Sequence, residues 1–157
     1  MRNILLMIFI CLIAVSAFGQ EKGGIVPCLA TCLIGPRVGL EMNEGSQVTQ
    51  SELIALAGNL VGGGASAANP IGSMITVGTR AYMAYDMGFK KNNFEGFLAS
   101  YCLGPRIGNE IDYRKIRTKE WMSLIPIVCI YPMISIPLEA YNGETMTEIE
   151  QKEGLRK

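Results

Sequence analysis

The chain has 157 residues, and its 14 Lys and Arg balance its 14 Asp and Glu, so its formal charge near pH 7 is zero. A balanced charge supplies no basic surface for nucleic acid, and the absence of histidine excludes Ser-His and Cys-His nucleophile systems. No phosphate-binding glycine motif is present either. The sequence therefore predicts neither an enzyme nor a bound cofactor. Hydrophobic residues make up 49% of the chain, which raises the question of membrane contact.

The first residues have the pattern of a secretory signal. Arg2 precedes an apolar run over residues 4–15, and a small-x-small sequence ends at Gly19. We expect cleavage after Gly19, so that residues 1–19 are a signal peptide; an uncleaved anchor helix is the alternative. Cleavage would remove Cys11 and leave four cysteines, and the sequence does not decide whether these form disulfides. They are Cys28, Cys32, Cys102 and Cys129.

A duplication organises the rest of the chain. Residues 29–41 (LATCLIGPRVGLE) recur as residues 98–110 (LASYCLGPRIGNE). Two further blocks recur in the same order, residues 48–56 as 116–124 and residues 74–82 as 133–141. Two copies are too few for a solenoid. We therefore predict two repeats, residues 20–96 and 97–157, that form one body with pseudo-two-fold symmetry.

The core of each copy is a Gly-Pro-Arg turn followed by a glutamate four residues after the arginine. The pairs are Arg37 with Glu41 and Arg106 with Glu110. Residues at this spacing face each other on a helix, so we interpret the motif as a turn held by a structural ion pair. Two alternatives stay open: the two arginines bind an anion, or the two glutamates meet across the symmetry axis as a carboxylate pair. The block looks like a motif of small exported bacterial proteins, a resemblance that implies no activity.

Residues 53–79 form the first apolar stretch. They contain no charged residue and are numerous enough to cross a bilayer. Gly58 and Gly62 form a Gly-x-x-x-Gly pair, which lets helices approach closely in a membrane, so we predict a helix contact there. Pro70 breaks or kinks the stretch. The alternative is two short buried helices joined by a flexible glycine-rich link.

The second apolar stretch covers residues 121–138. It also lacks charged residues, and Trp121 and Tyr141 flank it as interfacial aromatic residues do. Its three prolines would break a soluble helix but are tolerated inside a membrane bundle. We therefore predict a mainly α-helical protein with two membrane-embedded helices.

The distribution of basic residues predicts an orientation. Residues 80–119 contain eight Lys or Arg, which would hold this connection in the cytoplasm and both ends outside. The two Gly-Pro-Arg motifs would then lie on opposite faces of the membrane. In the alternative arrangement, residues 25–34 and 94–103 enter the membrane as short elements, and both copies share one orientation.

These patterns indicate a small bacterial cell-envelope protein, most simply in the inner membrane. We expect a structural, assembly or accessory role, in which helices pack against other envelope proteins or further copies of the chain, with the lipid bilayer as a second partner. The alternative, from another class, is a periplasmic or secreted soluble module that binds a ligand or partner in a groove between the repeats. Neither hypothesis involves nucleic acid or a metal.

Overall fold

The structure of the protein is a computed structural model that describes residues 22–64 and 70–157. Within these ranges the regular structure is helical, and the prediction of a mainly α protein is confirmed. The signal peptide predicted over residues 1–19 lies outside the described residues.

The helices of the described residues follow the same plan in both repeats. The first repeat contains α1 (Ile25–Leu33), α2 (Pro36–Met42), α3 (Gln50–Gly64) and α4 (Pro70–Ala84), followed by a π-helical turn (Tyr85–Phe89). Helix α5 (Lys90–Cys102) crosses the predicted boundary at residue 96. The second repeat continues with α6 (Pro105–Glu110), α7 (Thr118–Met122) and α8 (Ile130–Tyr141), followed by α9 (Met146–Glu153). Helix α5 is kinked near its start, where Asn92 and Asn93 leave helical geometry. Helices α1 to α4 thus correspond in order to α5 to α8.

The first predicted membrane span, residues 53–79, is not a single helix. Helix α3 ends at Gly64 and α4 begins at Pro70, and the two helices pack along each other. Proline suits the first position of a helix, where its missing N–H is not needed, and it cannot continue the preceding one. The division into two helices matches the two-helix alternative, but α4 is not buried as that alternative expected, since Met74 is 74% exposed.

The second predicted span, residues 121–138, is also divided. Helix α7 ends at Met122, hydrogen-bonded turns follow, and α8 begins only at Ile130. Pro126 lies in these turns, where it interrupts any continuous helix because it has no N–H to donate. Helix α8 has 12 residues. In residues 22–64 and 70–157, no helix is both long enough and apolar enough to cross a membrane.

The two Gly-Pro turns face each other, so the prediction that they lie on opposite sides of a membrane is wrong. A Cβ atom at Gly35 would lie 2.9 Å from the Cδ of Pro105, and one at Gly104 would lie 2.9 Å from the Cδ of Pro36. Such reciprocal contacts are the mark of a two-fold arrangement. The turns therefore define a pseudo-two-fold axis between the repeats.

Each repeat packs on helices of the other. Helix α1 packs against α8, and α5 packs against α4. The N–H of Gly24 also donates to the carbonyl of Tyr141 at 2.7 Å. The described residues form four small apolar cores, and the one around Leu40 joins both repeats to α9. Its other members are Ile136, Ala140, Met146, Ile149 and Leu155. The two repeats thus form an interlocked body.

Gly58 and Gly62 lie at the contact between α3 and α4. A Cβ at Gly58 would lie 2.0 Å from the Oγ1 of Thr79, and one at Gly62 would lie 2.0 Å from the Oγ1 of Thr76. The threonine side chains are β-branched and stiff in a helix, so they cannot move aside freely. The contact that the Gly-x-x-x-Gly spacing predicts is therefore made within the chain.

We expect Gly58→Ala to lower the free energy of unfolding by about 1–3 kcal/mol, the usual cost of forcing extra atoms into a filled contact. Gly78→Ala is the matched control, because a Cβ at Gly78 meets nothing within 4 Å. That change should leave stability equal or raise it by up to about 1 kcal/mol, since alanine is the better helix former. Urea unfolding followed by circular dichroism measures both. Equal effects of the two substitutions would contradict the α3–α4 contact.

Candidate functional site

The structure explains why glycine and proline stand at their positions in the Gly-Pro-Arg-x-Gly-x-Glu block. Pro36 and Pro105 are the first residues of α2 and α6, a position that proline favours. A Cβ at Gly39 would lie 2.0 Å from the carbonyl oxygen of Pro27, and a Cβ at Gly108 would lie 2.0 Å from that of Gly96. Glycine at this column therefore lets each short helix cross closely over the helix before it.

Arg37 is buried and bonds only to the second repeat. Its side chain is 1% exposed. The Nε and Nη2 atoms donate to the two carboxylate oxygens of Glu120 at 2.7 and 2.8 Å, a bidentate ion pair. Nη1 donates to Glu110 at 2.6 Å, and Nη2 also donates to the carbonyl of Lys115 at 3.0 Å.

Arg106 repeats this arrangement in the other direction. Its side chain is 4% exposed, and Nε and Nη2 donate to the carboxylate of Glu52 at 2.7 and 3.1 Å. Nη1 donates to Glu41 at 3.0 Å, and Nη2 also donates to the carbonyl of Gln47 at 2.9 Å. The first repeat supplies all of these partners. The two arginines are therefore crossed between the repeats.

The expected pairing within one helix is thus replaced by pairing between repeats. Arg37 bonds to Glu110 rather than to Glu41, because the two Gly-Pro turns lie face to face and point each guanidinium at the opposite copy. External anions have no access to guanidinium groups this deeply buried and this fully engaged. The bidentate partners Glu52 and Glu120 were not among the predicted site residues. Their signal was their common column in the repeated blocks 48–56 and 116–124.

The carboxyl groups of Glu41 and Glu110 meet at the axis. The Oε1 atom of Glu41 is buried and accepts no hydrogen bond. Burial raises the pKa of Glu41 to about 8, and the neighbouring charge of Glu110 adds to this, while Arg106 opposes it. The pKa of Glu110 is lowered despite its burial, because Glu41, Arg37 and Arg114 stabilise its charged form. A carboxyl group with this pKa is largely protonated at pH 7, so Glu41 can donate a hydrogen bond to the neighbouring Glu110 carboxylate.

Three basic residues after the second motif, Arg114, Arg117 and Lys119, pair with acidic residues of α6, α8 and α9. Arg117 is buried and pairs with Glu139 at 3.0 Å and with Glu153 at 2.7 Å. Arg114 pairs with Glu110 and Glu150, both at 2.7 Å. The C-terminal helix is therefore attached to the crossed arginines through a continuous series of ion pairs.

A cavity of about 280 Å³ lies beside the Gly-Pro turns and takes its walls from both repeats. Its lining includes Arg80, Asn59 and the thiols of Cys32 and Cys102. Cys28, Cys32, Cys102 and Cys129 are all free in the structure. Burial raises the pKa of the Cys32 thiol, and its contact with Cys28 raises it further. This cavity occupies the place of the groove that the sequence left as an alternative.

The buried groups of this region are engaged with one another. The crossed arginines have carboxylate partners, and the Glu41–Glu110 pair is enclosed rather than presented to a substrate. Within the described residues, no three His, Cys, Asp or Glu side chains are grouped to hold a metal ion. The crossed ion pairs therefore act on the fold, and the cavity is the part of this region that small molecules can enter.

The chain was compared with protein-family models, with curated proteins and with solved structures. None of the three comparisons gave a match.

The shared proton predicts a loss of stability at alkaline pH. The pKa of Glu41 is about 8 in the folded protein and near 4.5 in an unfolded chain, so the folded state holds the extra proton between these values. Stability from this group is complete below about pH 4.5 and falls as the pH rises toward 8. The steepest slope for one proton is about 1.4 kcal/mol per pH unit.

Urea unfolding between pH 5 and 9 measures this slope, and Glu41→Gln is the matched variant. The glutamine amide donates to Glu110 at every pH, so its stability should change much less over the same window. The lowered pKa values of Glu110, Glu148 and Glu153 act below this range and leave the comparison undisturbed. The same slope in both proteins would show that Glu41 holds no extra proton.

Proposed function

We propose that the protein is an exported, non-catalytic accessory protein of the bacterial cell envelope. In this proposal it rests in the surface of the inner membrane through an apolar face and packs against envelope partners or further copies of itself. The observation that carries the proposal is the set of large apolar side chains that corresponding helices of the two repeats expose. Surfaces of this kind on a folded chain mark contacts with proteins or membranes.

The exposed apolar residues occupy equivalent positions on α4 and α8. Met74 and Met133 are 74% and 67% exposed. The pair Ile71 and Ile130 and the pair Tyr82 and Tyr141 are also exposed. The duplication therefore presents the same kind of side chain outward twice, which supports a common role for the two surfaces.

The turns between α7 and α8 extend this surface. Ile127 is 87% exposed, and Leu124 and Ile125 are exposed beside it. No charged residue occurs in residues 121–138, and the exposed rings of Trp121 and Tyr141 flank this stretch. Aromatic rings at both ends of a charge-free apolar surface are typical of contact with the bilayer interface. This pattern favours lipid over a protein partner as the primary contact.

Helix α8 separates the apolar surface from a polar side of the molecule. Its inner residues Ile136 and Ala140 pack in the core with Ile149 of α9, while Met133 points outward. Helix α9 in turn exposes polar side chains, Thr147, Glu148, Gln151 and Lys152. A molecule with this division suits the surface of a bilayer, with α9 in water and the outer face of α8 among the lipids.

Gly58 and Gly62 do not belong to this outer surface. These glycines pack against α4 of the same chain, so their surface is not available to a partner. Association with envelope proteins or with a second copy would instead use the outer faces of α4 and α8. The bilayer brings such partners together in two dimensions, which fits a structural or assembly role.

Vesicle flotation with phosphatidylglycerol and phosphatidylethanolamine tests the proposal. We expect the native chain to float with the vesicles and the double variant Met74→Glu/Met133→Glu to lose at least about tenfold in affinity, because each buried carboxylate is expensive in lipid. Thr147→Glu/Gln151→Glu is the matched control, since it adds the same two negative charges to the exposed side of α9. It should float like the native chain.

Native circular dichroism of the double variant is the folding control, because both methionines are exposed and their replacement removes no core contact. Equal flotation of native and double-variant proteins would overturn the proposal. A native chain that stays with the soluble fraction at all lipid concentrations would also overturn it.

A further inference from the structure

The cavity beside the Gly-Pro turns exists because no side chain can fill it. The turns touch through Gly35 and Gly104, where a Cβ would collide with the proline of the opposite turn. Glycine backbone and proline rings therefore fill the contact between the turns, and much of the cavity wall beside it is apolar. The apolar wall residues include Leu56, Met83, Pro132 and Ile136. The cavity volume of about 280 Å³ is near the lower end for small-molecule pockets, roughly 300–1,000 Å³.

Arg80 is the cationic group of this cavity, and because its side chain is also exposed, it lies where the cavity opens to solvent. In the part of the chain that the structure describes, Arg80 has no carboxylate partner. Four other arginines each bond to two carboxylates: Arg37, Arg106, Arg114 and Arg117. Asn59 lines the same cavity and adds a neutral amide. The cavity thus combines apolar walls with one unmatched positive charge.

The repeats differ in charge at the position of Arg80. The equivalent residue in the second repeat is Glu139, which pairs with Arg117 and Lys119. In the first repeat, Thr49 and Ser51 occupy the columns of those two cations. The first repeat therefore carries a cation where the second carries an internally matched anion. A negative group from outside the chain would restore the balance.

We infer that this cavity binds a small monocarboxylate with an apolar chain, with the carboxylate at Arg80 and the chain along the apolar walls beside the two Gly-Pro turns. The arginine fork suits a carboxylate, and Asn59 offers it a further hydrogen bond. The apolar walls select a hydrocarbon chain over a sugar or a polar metabolite. The site is separate from the exposed outer faces of α4 and α8 and does not depend on the proposed membrane role.

Octanoate is the probe, and octanol is its uncharged counterpart of equal chain length. Cys32 and Cys102 line the cavity, while Cys129 lies at the start of α8 next to the exposed apolar surface and does not line it. In reducing buffer, octanoate at a concentration that leaves only about a tenth of the cavities empty should slow alkylation of Cys32 and Cys102 by about tenfold, because the thiols then react only in the empty cavities. Cys129 should react at an unchanged rate.

Arg80→Met tests the charge, since methionine keeps an unbranched apolar stem. Its Kd for octanoate, measured by calorimetry, should rise about tenfold, the equivalent of about 1.4 kcal/mol, and its Kd for octanol should stay the same. Lys91→Met is the matched control, because it removes an exposed cation outside the cavity. It should leave both constants unchanged.

Three outcomes overturn the inference. The native chain binds octanol as tightly as octanoate, or Arg80→Met binds octanoate like the native chain, or octanoate protects Cys129 as well as Cys32. The last result would show adsorption to the exposed apolar surface, which belongs to the proposed membrane role and not to the cavity. The comparison on the native chain decides the matter even if Arg80→Met fails to fold.

Discussion

The fold depends on the burial of Arg37 and Arg106. Removal of a guanidinium group from water costs several kcal/mol, and the cost is met only when carboxylates and carbonyls surround it with good geometry. Here every such partner comes from the opposite repeat. A single repeat would leave its arginine buried and uncompensated or exposed to water. The two copies are therefore interdependent, and the interlocked packing of α1 on α8 and α5 on α4 follows from this requirement.

The same requirement explains the proton at the axis. Arg37 and Arg106 have four carboxyl partners, Glu41, Glu52, Glu110 and Glu120. Arg114 joins them through Glu110. When Glu41 is protonated, the guanidinium groups of these three arginines are balanced by the three carboxylates of Glu52, Glu110 and Glu120. Arg114 also makes a separate ion pair with Glu150. The second repeat alone has an arginine four residues after its glutamate, so Glu110 keeps the charge and Glu41 takes the proton.

Because the charges are matched internally, the outer surface is free for other contacts. The ion pairs of Arg114 and Arg117 attach α9 to one side of α8, and the other side of α8 exposes apolar residues. The Gly-Pro turns that bring the arginines together also leave the cavity, since only backbone fits where they touch. One repeated block thus produces the rigid core, the cavity beside it and the placement of the apolar helices.

The sequence predicted the features that repeat or that are local. Helical structure followed from composition and periodicity, and the pseudo-two-fold body from the repeated blocks. The close contact at Gly58 followed from its spacing to Gly62. The sequence could not predict which copy supplies the partner of Arg37, because the spacing to Glu41 satisfies a helix equally well. It also predicted spans from apolar content alone, although Pro70 and Pro126 divide both stretches before they reach spanning length. Whether an apolar residue faces inward or outward depends on tertiary packing, which no local pattern contains.

A double-mutant cycle between Arg37 and Glu120 tests whether the crossed arginines hold the two repeats together. These side chains are 83 positions apart in the sequence and belong to different repeats, and both are 1% exposed. Urea unfolding of Arg37→Met, Glu120→Gln and the double variant gives their coupling energy. Crossed arginines predict a coupling of about 2 kcal/mol or more, as expected for a buried pair that shares two hydrogen bonds. A coupling close to zero would show that the two repeats are not held together by this interaction.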